Sequence, residues 1–311
     1  MQGEYVLVTG GCGFVGRTIV RALTEAGARV RVADLTPPSA HPAVDSVVGD
    51  LHDPRIQAAA VTPEVTGIIH LAARTSVLES VADPAGVHAA NVTITAGLLD
   101  LARRAGVSRF LLASTNAVVG DVGETRIHED IPLRPLTPYG ATKAACEMLL
   151  AGYAGSYSMT TCAVRLTNIY GPGMAHKDSF VPRLMRAARD GEGVSVYGDG
   201  SQRRDLVHVE DVARGFLTAW ASRFTGSVIV GSGRSVTVNE LVEAARRATG
   251  RLIPVDHVPA KQGEMPAVVV DISRALSLGY RPRLGLEEGL AGVWKEFAGS
   301  AAEAGTAGGE Q

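Results

Sequence analysis

The sequence predicts an α/β fold, a doubly wound parallel sheet with a smaller, discontinuous C-terminal lobe, and three observations carry the prediction. Short apolar runs alternate with amphipathic helical stretches through the first half of the 311 residues. Gly10, Gly13 and Gly16 fall where the first apolar run turns into the first helix. The second apolar run ends on an acid, Asp34.

Taken in order, Tyr-Val-Leu-Val-Thr over 5–9 reads as a buried strand feeding a helix over 15–25. Strands over 29–34, 47–48 and 67–71 follow, then a helix over 92–104 and a strand over 109–114. Pro138 opens a helix over 139–151, and a strand over 160–166 continues the rhythm. Gly171-Pro172-Gly173 breaks it. Beyond lie a helix over 180–189, the Gly198-Asp199-Gly200 turn, a helix over 238–248, a strand over 252–258 and a helix over 286–297, while 210–221 and 227–230 return to the sheet. The expected organisation is a sheet domain of 1–171 and 205–231 and a lobe of 172–204 and 232–298. The tail 299–311, made of small and polar residues with nothing to bury, is expected to be disordered.

Composition excludes several classes of function. At 46% apolar residues the chain can bury a large core, and a net charge of −2 with scattered basic residues leaves no footprint for nucleic acid. No apolar run approaches the roughly 20 residues that span a bilayer, so no membrane partner is expected. Cys12, Cys146 and Cys162 are odd in number and lack metal-ligand spacing. No metal is implied, and a cytoplasmic protein binding a small molecule is expected.

Glycines at a strand-to-helix turn let the backbone approach a pyrophosphate at a helix N-terminus, and a carboxylate at Asp34 can bind both hydroxyls of an adenosine ribose while repelling a 2′-phosphate. NAD is the cofactor this pattern favours. Asp50, after a predicted strand, reads either as an acceptor for the adenine amine or as a turn residue. Cys12 reads as a small loop residue; its place at a positive helix end could also lower its thiol pKa. Tyr139 and Lys143 lie four apart on one helix face, where an ammonium can stabilise a phenolate and make tyrosine a base near neutral pH. Thr115, just past the strand over 109–114, lies at the carboxyl end of the sheet and completes a triad.

With these residues the chain resembles an extended short-chain dehydrogenase/reductase of the nucleotide-sugar epimerase and dehydratase branch. The likeness runs almost to Phe297 and is carried by 9–16, Asp50-Leu51, His70-Leu71-Ala72-Ala73, Asn91, 114–120, 139–143, 165–173, 198–211 and 263–271. It implies Tyr139 as base, Lys143 on the nicotinamide ribose and Thr115 on the sugar 4-hydroxyl. It also implies a cofactor site of Gly10, Gly13, Phe14, Val15, Gly16, Asp34, Asp50, Leu51, Leu71, Ala72, Ala73 and Asn91, joined by Tyr139 and Lys143. Asn168, Arg204 and Lys261 correspond to contacts with a nucleotide diphosphate, and Val268 to a position limiting the sugar's C2 group. A homodimer built from the helices over 92–104 and 139–151 is expected.

Departures from the family pattern narrow the chemistry. Dehydrating relatives carry an Asp-Glu pair after the catalytic Ser/Thr, and decarboxylating ones a glutamate two positions after it; here Asn116 and Ala117 stand there. Neither transfers protons at C5 or C6. Val119 replaces the motif's usual tyrosine. Lys177 and Arg183, flanking Phe180, read more readily as a solvated face than as contacts to a hexuronate. The expected activity is an NAD-dependent 4-epimerase of a UDP-hexose, UDP-N-acetylhexosamine or UDP-hexuronate. The alternatives are a 4-ketoreductase or dehydrogenase of a UDP- or dTDP-sugar, and a catalytically silent NAD sensor.

Overall fold

The computed structural model describes residues 1–39, 44–123, 125–259 and 268–306, with side chains through residue 299. The first strand, β1 (Tyr5–Thr9), is buried along its whole length. That accounts for its unbroken apolar sequence, since a strand covered on both faces has no solvent side to mark. There follow α1 (Phe14–Glu25), β2 (Arg29–Asp34), β3 (Val44–Val48), α2 (Pro54–Ala60), β4 (Gly67–His70), α3 (Val77–Ala82) and α4 (Pro84–His88). A π turn over Ala89–Thr93 leads into α5 (Ile94–Ala105) and β5 (Arg109–Thr115). Next come α6 (Pro138–Tyr157), β6 (Thr160–Leu166), β7 (Asn168–Tyr170), α7 (Phe180–Asp190), β8 (Val194–Tyr197), β9 (Arg203–His208), α8 (Val209–Ser222) and β10 (Gly226–Val230). The described chain closes with β11 (Ser235–Thr237), α9 (Val238–Thr249), β12 (Val255–Val258), α10 (Ser273–Ser277) and α11 (Leu286–Thr306).

Seven strands form one parallel sheet in the order β10-β6-β5-β4-β1-β2-β3. The chain leaves β1 toward β2 and β3, then returns to β4 on the other side, so the order reverses between β1 and β4. A crevice opens at the carboxyl ends of strands where such a reversal occurs. One sheet face packs Ile19 and Leu23 of α1 with Phe216 and Trp220 of α8. The other packs Leu98 and Leu99 of α5 with Cys146 and Leu150 of α6. A third core joins α7, α9 and α11 through Leu184, Met185, Leu241, Ala245, Leu290 and Val293, and takes in Phe14 at the start of α1. Two small sheets, β11-β9-β7 and β12-β8, flank it.

The structure carries α11 on to Thr306, past Gly299, where composition predicted the end of ordered chain. Buried Leu290, Val293 and Phe297 anchor the helix. Residues 307–311 lie outside the described residues. Among the described residues no helix is long and apolar enough to cross a membrane.

Candidate active site

The glycine loop is shaped by contacts that exclude side chains. Gly10 adopts φ +69°, and a Cβ there would stand 2.8 Å from the Ala72 nitrogen, so the end of β1 lies directly against the turn after β4. A Cβ on Gly16 would meet the Gly10 carbonyl oxygen at 2.1 Å. Helix α1 therefore starts on top of its own loop. Gly13 provides no side-chain cap, and Phe14, Val15 and Gly16, whose N–H groups precede the helix's own hydrogen bonds, line the cleft. A pyrophosphate fits this cradle.

Asp34 ends β2 beside the same loop. Its carboxylate accepts from the Cys12 N–H at 2.9 Å and the Thr36 N–H at 3.3 Å, which fixes it at the cleft wall. Held there, it presents acceptors to a ribose diol and negative charge against a 2′-phosphate. The residues present thus fit NAD. Burial, followed by the Asp34 charge, pushes the Cys12 thiol up rather than down, so the loop cysteine is not an activated thiolate.

The three side chains expected to be catalytic meet because α6 begins against the turn after β5. Thr137 caps α6 by accepting from the Gly140 N–H at 3.2 Å, and a Cβ on Gly140 would lie 2.7 Å from the Ala117 carbonyl oxygen. That approach brings Tyr139 into a hydrogen bond with Thr115. One turn on, Lys143 is 3% exposed and donates from Nζ to the Ala113 carbonyl at 2.9 Å. Burial pushes the Tyr139 phenol up to about 12, with the Thr115 hydrogen bond acting the other way. Burial also pushes Lys143 down to about 8, against the raising influence of Cys146 and Glu147. In the protein alone, burial thus outweighs the Thr115 hydrogen bond and favours the neutral phenol over the base expected from the sequence. His70, between Thr9 Oγ1 (2.6 Å) and Thr95 Oγ1 (3.0 Å), is driven down to about 3 by burial and then by Lys143, and is a neutral ring.

A single cleft of about 940 Å³ gathers Gly10, Gly13, Phe14, Val15, Gly16, Asp34, Leu71, Ala72, Ala73, Thr115, Tyr139, Lys143, Asn168 and Arg204. Four residues expected at the site do not line this cleft. Asp50 is a turn residue, accepting from the His52 N–H at 2.9 Å and pairing with its ring at 2.8 Å. Leu51 is buried in the core under α5. Asn91 brackets Arg74, accepting from its N–H at 2.9 Å and donating to its carbonyl at 3.0 Å, and donates to Thr142 at 3.0 Å. It ties the chain after β4 to α6. Val268 is 7% exposed and packs into the sheet core, so it forms no wall of the cleft. Lys261 lies outside the described residues.

Lys177 and Arg183 line the cleft, contrary to the solvated reading that their sequence favoured. Only the docking of α7 by Val181, Leu184 and Met185 turns that end of the helix inward. Ser114 and Gln202, which lie in matching segments, also line it, as do Thr36, Ser195 and Tyr197, which nothing in their local sequence marks. Arg203 is not at the cleft and donates to the Ser235 carbonyl at 2.7 Å.

A family model described as the NAD dependent epimerase/dehydratase family matches residues 6–230. The chain belongs to this family. It is similar to a UDP-glucose 4-epimerase of Streptomyces lividans, 33% identical over 305 residues that cover 91% of this chain and 92% of the relative. It is equally similar to a dTDP-glucose 4,6-dehydratase of an Actinoplanes species, 33% identical over 306 residues that cover 92% and 95%. The structure superposes on the Thermus thermophilus UDP-glucose 4-epimerase solved with NAD at a TM-score of 0.88 and 33% identity, covering 96% of this chain and 100% of that one. As a member of the NAD-dependent epimerase/dehydratase family, the protein has its glycine cradle and Asp34 where the cofactor chemistry requires them, within the matched residues.

Proposed function

We propose that the protein is an NAD-dependent nucleotide-sugar 4-epimerase acting on a UDP-hexose, UDP-N-acetylhexosamine or UDP-hexuronate. The observation that carries this reading is the convergence of Thr115, Tyr139 and Lys143 on the cleft that also holds Asp34, Asn168 and Arg204. NAD held by the glycine loop and Asp34 would supply the hydride acceptor for sugar C4 and would add positive charge to the cleft. Thr115 orients the 4-hydroxyl, Tyr139 Oη takes its proton and later returns it, and Lys143 holds the nicotinamide ribose. Asn168, Arg204, Lys177 and Arg183 are donors for the diphosphate and for any sugar carboxylate. Two features support epimerisation over elimination. Asn116 is buried with its amide directed at the Leu166 carbonyl (3.4 Å), and neither it nor Ala117 lines the cleft. A proton carrier for C5 is thus missing where dehydrating relatives place one.

The cofactor lies against 1–171 and 205–231 and the nucleotide sugar against 172–204 and 232–298, in this reading. The homodimer is proposed through α5 and α6, as the family resemblance implies; exposed Met148 of α6 supports it, with exposed Val77, Leu78 and Val81 of α3, which also packs on α6, beside it. Free thiols at Cys12, Cys146 and Cys162 suit a reducing cytoplasm. The test is proton NMR of the purified protein in deuterated water, without added cofactor, on UDP-glucose, UDP-N-acetylglucosamine and UDP-glucuronate. A 4-epimer lacking deuterium at C5 is expected. Turnover only after NADPH and a 4-keto sugar are supplied would replace the epimerase with a ketoreductase.

A further inference from the structure

Two turns beyond Tyr139 and one beyond Lys143 on α6, Glu147 is a buried acid that the proposed chemistry does not use. Its side chain is 5% exposed and is paired with Arg165 of β6, 4% exposed. Arg165 grips it with Nε at 3.0 and 3.1 Å from the two oxygens and Nη2 at 2.7 Å. Ser114 Oγ donates to the same carboxylate at 2.5 Å. From the other side Arg165 Nη1 donates to the Glu129 carbonyl at 3.1 Å, and the Glu129 carboxylate accepts from the Ile229 N–H at 2.8 Å. One hydrogen-bonded line thus runs from β5 through α6 and β6 to β10. A buried ion pair is seldom more stable than an apolar pair of like volume, so stability alone gives little reason for charge here. What distinguishes this pair is its place: it holds the residue before Thr115 and lies on the helix face of Lys143.

We infer that Glu147 is a positioning residue for the C4 reaction, an inference that rests on the epimerase reading. Clamped by Arg165, its carboxylate fixes Ser114, and with it the direction of Thr115, and places a negative charge one turn from the Lys143 ammonium. The titratable groups around Lys143 are Tyr139, Cys146 and Glu147 on α6, His70 on β4, and Cys162 and Arg165 on β6. Burial keeps His70, Cys146, Cys162 and Tyr139 uncharged near neutral pH. Arg109 lies at the far end of β5 against Glu4, and Glu79 of α3, His88 of α4 and Asp100, Arg103 and Arg104 of α5 lie on the outer sides of their helices. Cys146 and then Glu147 oppose the desolvation of Lys143, and with the Cys146 thiol protonated it is Glu147 that supplies negative charge there.

The test uses the NAD-loaded enzyme and whichever UDP-sugar the wild type turns over. Glu147→Gln keeps the shape, and the double variant E147M/R165M replaces the ion pair by an apolar pair, guarding against a buried uncompensated arginine. A kcat lower by about tenfold or more is expected in both, with bound NAD retained and KM changed by less than about threefold. In Glu147→Gln the alkaline limb of kcat moves to lower pH, because Lys143 loses its proton earlier. Either variant folding with wild-type kcat and an unmoved limb overturns the inference. So does a fall in kcat that merely tracks lost NAD and lost thermal stability. A wild type inactive on every UDP-sugar sinks the epimerase reading instead, and is told apart by needing no variant.

Discussion

The two ends of the cleft are built on different principles. At the cofactor end the wall is backbone: Gly10 against Ala72, Gly16 against the Gly10 carbonyl, and Asp34 locked to the loop N–H of Cys12. At the end proposed for the substrate the wall is side chains drawn from separate segments, with Asn168 on β7, Lys177 and Arg183 around α7, Tyr197 on β8 and Arg204 on β9. A backbone wall tolerates almost no substitution and so leaves a fixed signature in sequence. A side-chain wall tolerates exchange as long as its elements keep docking, which lets one fold accept different sugars.

Changes at the junction of the two ends should have the largest effect. Tyr139→Phe removes the group that moves the proton, and kcat should fall about 10²–10⁴-fold with NAD still bound, measured by NMR of sugar C4 inversion. Retained activity would show that the proton travels another way. Gly16→Ala forces a Cβ to 2.1 Å from the Gly10 oxygen. The purified protein should lose most of its NAD, and melting should reveal a destabilisation of about 1–3 kcal/mol. An NAD content equal to wild type would mean the loop is more adaptable than its contacts imply.

At the substrate end, Arg204→Met should raise KM for the UDP-sugar by about 10–100-fold with little change in kcat, as loss of a charge-assisted contact formed equally in ground and transition states predicts. A kcat effect of the same size would place Arg204 at the reacting carbon. Acid should weaken the fold through His70. Its folded pKa of about 3 lies below the ordinary value of 6.5, so the unfolded chain binds a proton that the folded one refuses. Stability should decline as pH falls from about 6.5 toward 3, and His70→Asn should flatten that slope in melting curves. Smallest of all, Asp50→Ala should leave NAD content and kcat within about twofold, since the side chain serves its own turn.

The difference between the ends also governs what could be read in advance. The parallel sheet, α1, α6 and the triad follow from apolar periodicity, the glycine spacing and the Tyr139/Lys143 interval, all local features. Leu51, Asn91 and Val268 belong to matching segments yet their side chains pack or bond within the framework, because a motif marks a stretch of chain and not the direction of each side chain. Asn91 is the clearest case: its side chain is spent on the Arg74 backbone and Thr142.

By itself the sequence determined the layered α/β fold, the cofactor loop and the Tyr139/Lys143 pair on one helix face, because these depend on backbone sterics and on spacings within single elements. Tertiary structure decided the rest. It turned Lys177 and Arg183 into the cleft by docking α7, and it removed Val268 from the cleft wall. It joined Ser114 to Glu147 and Arg165 across three elements, and it made Tyr139 a neutral phenol by burying it. Each of these rests on desolvation or on contact between distant segments, and neither is encoded in any local stretch of chain.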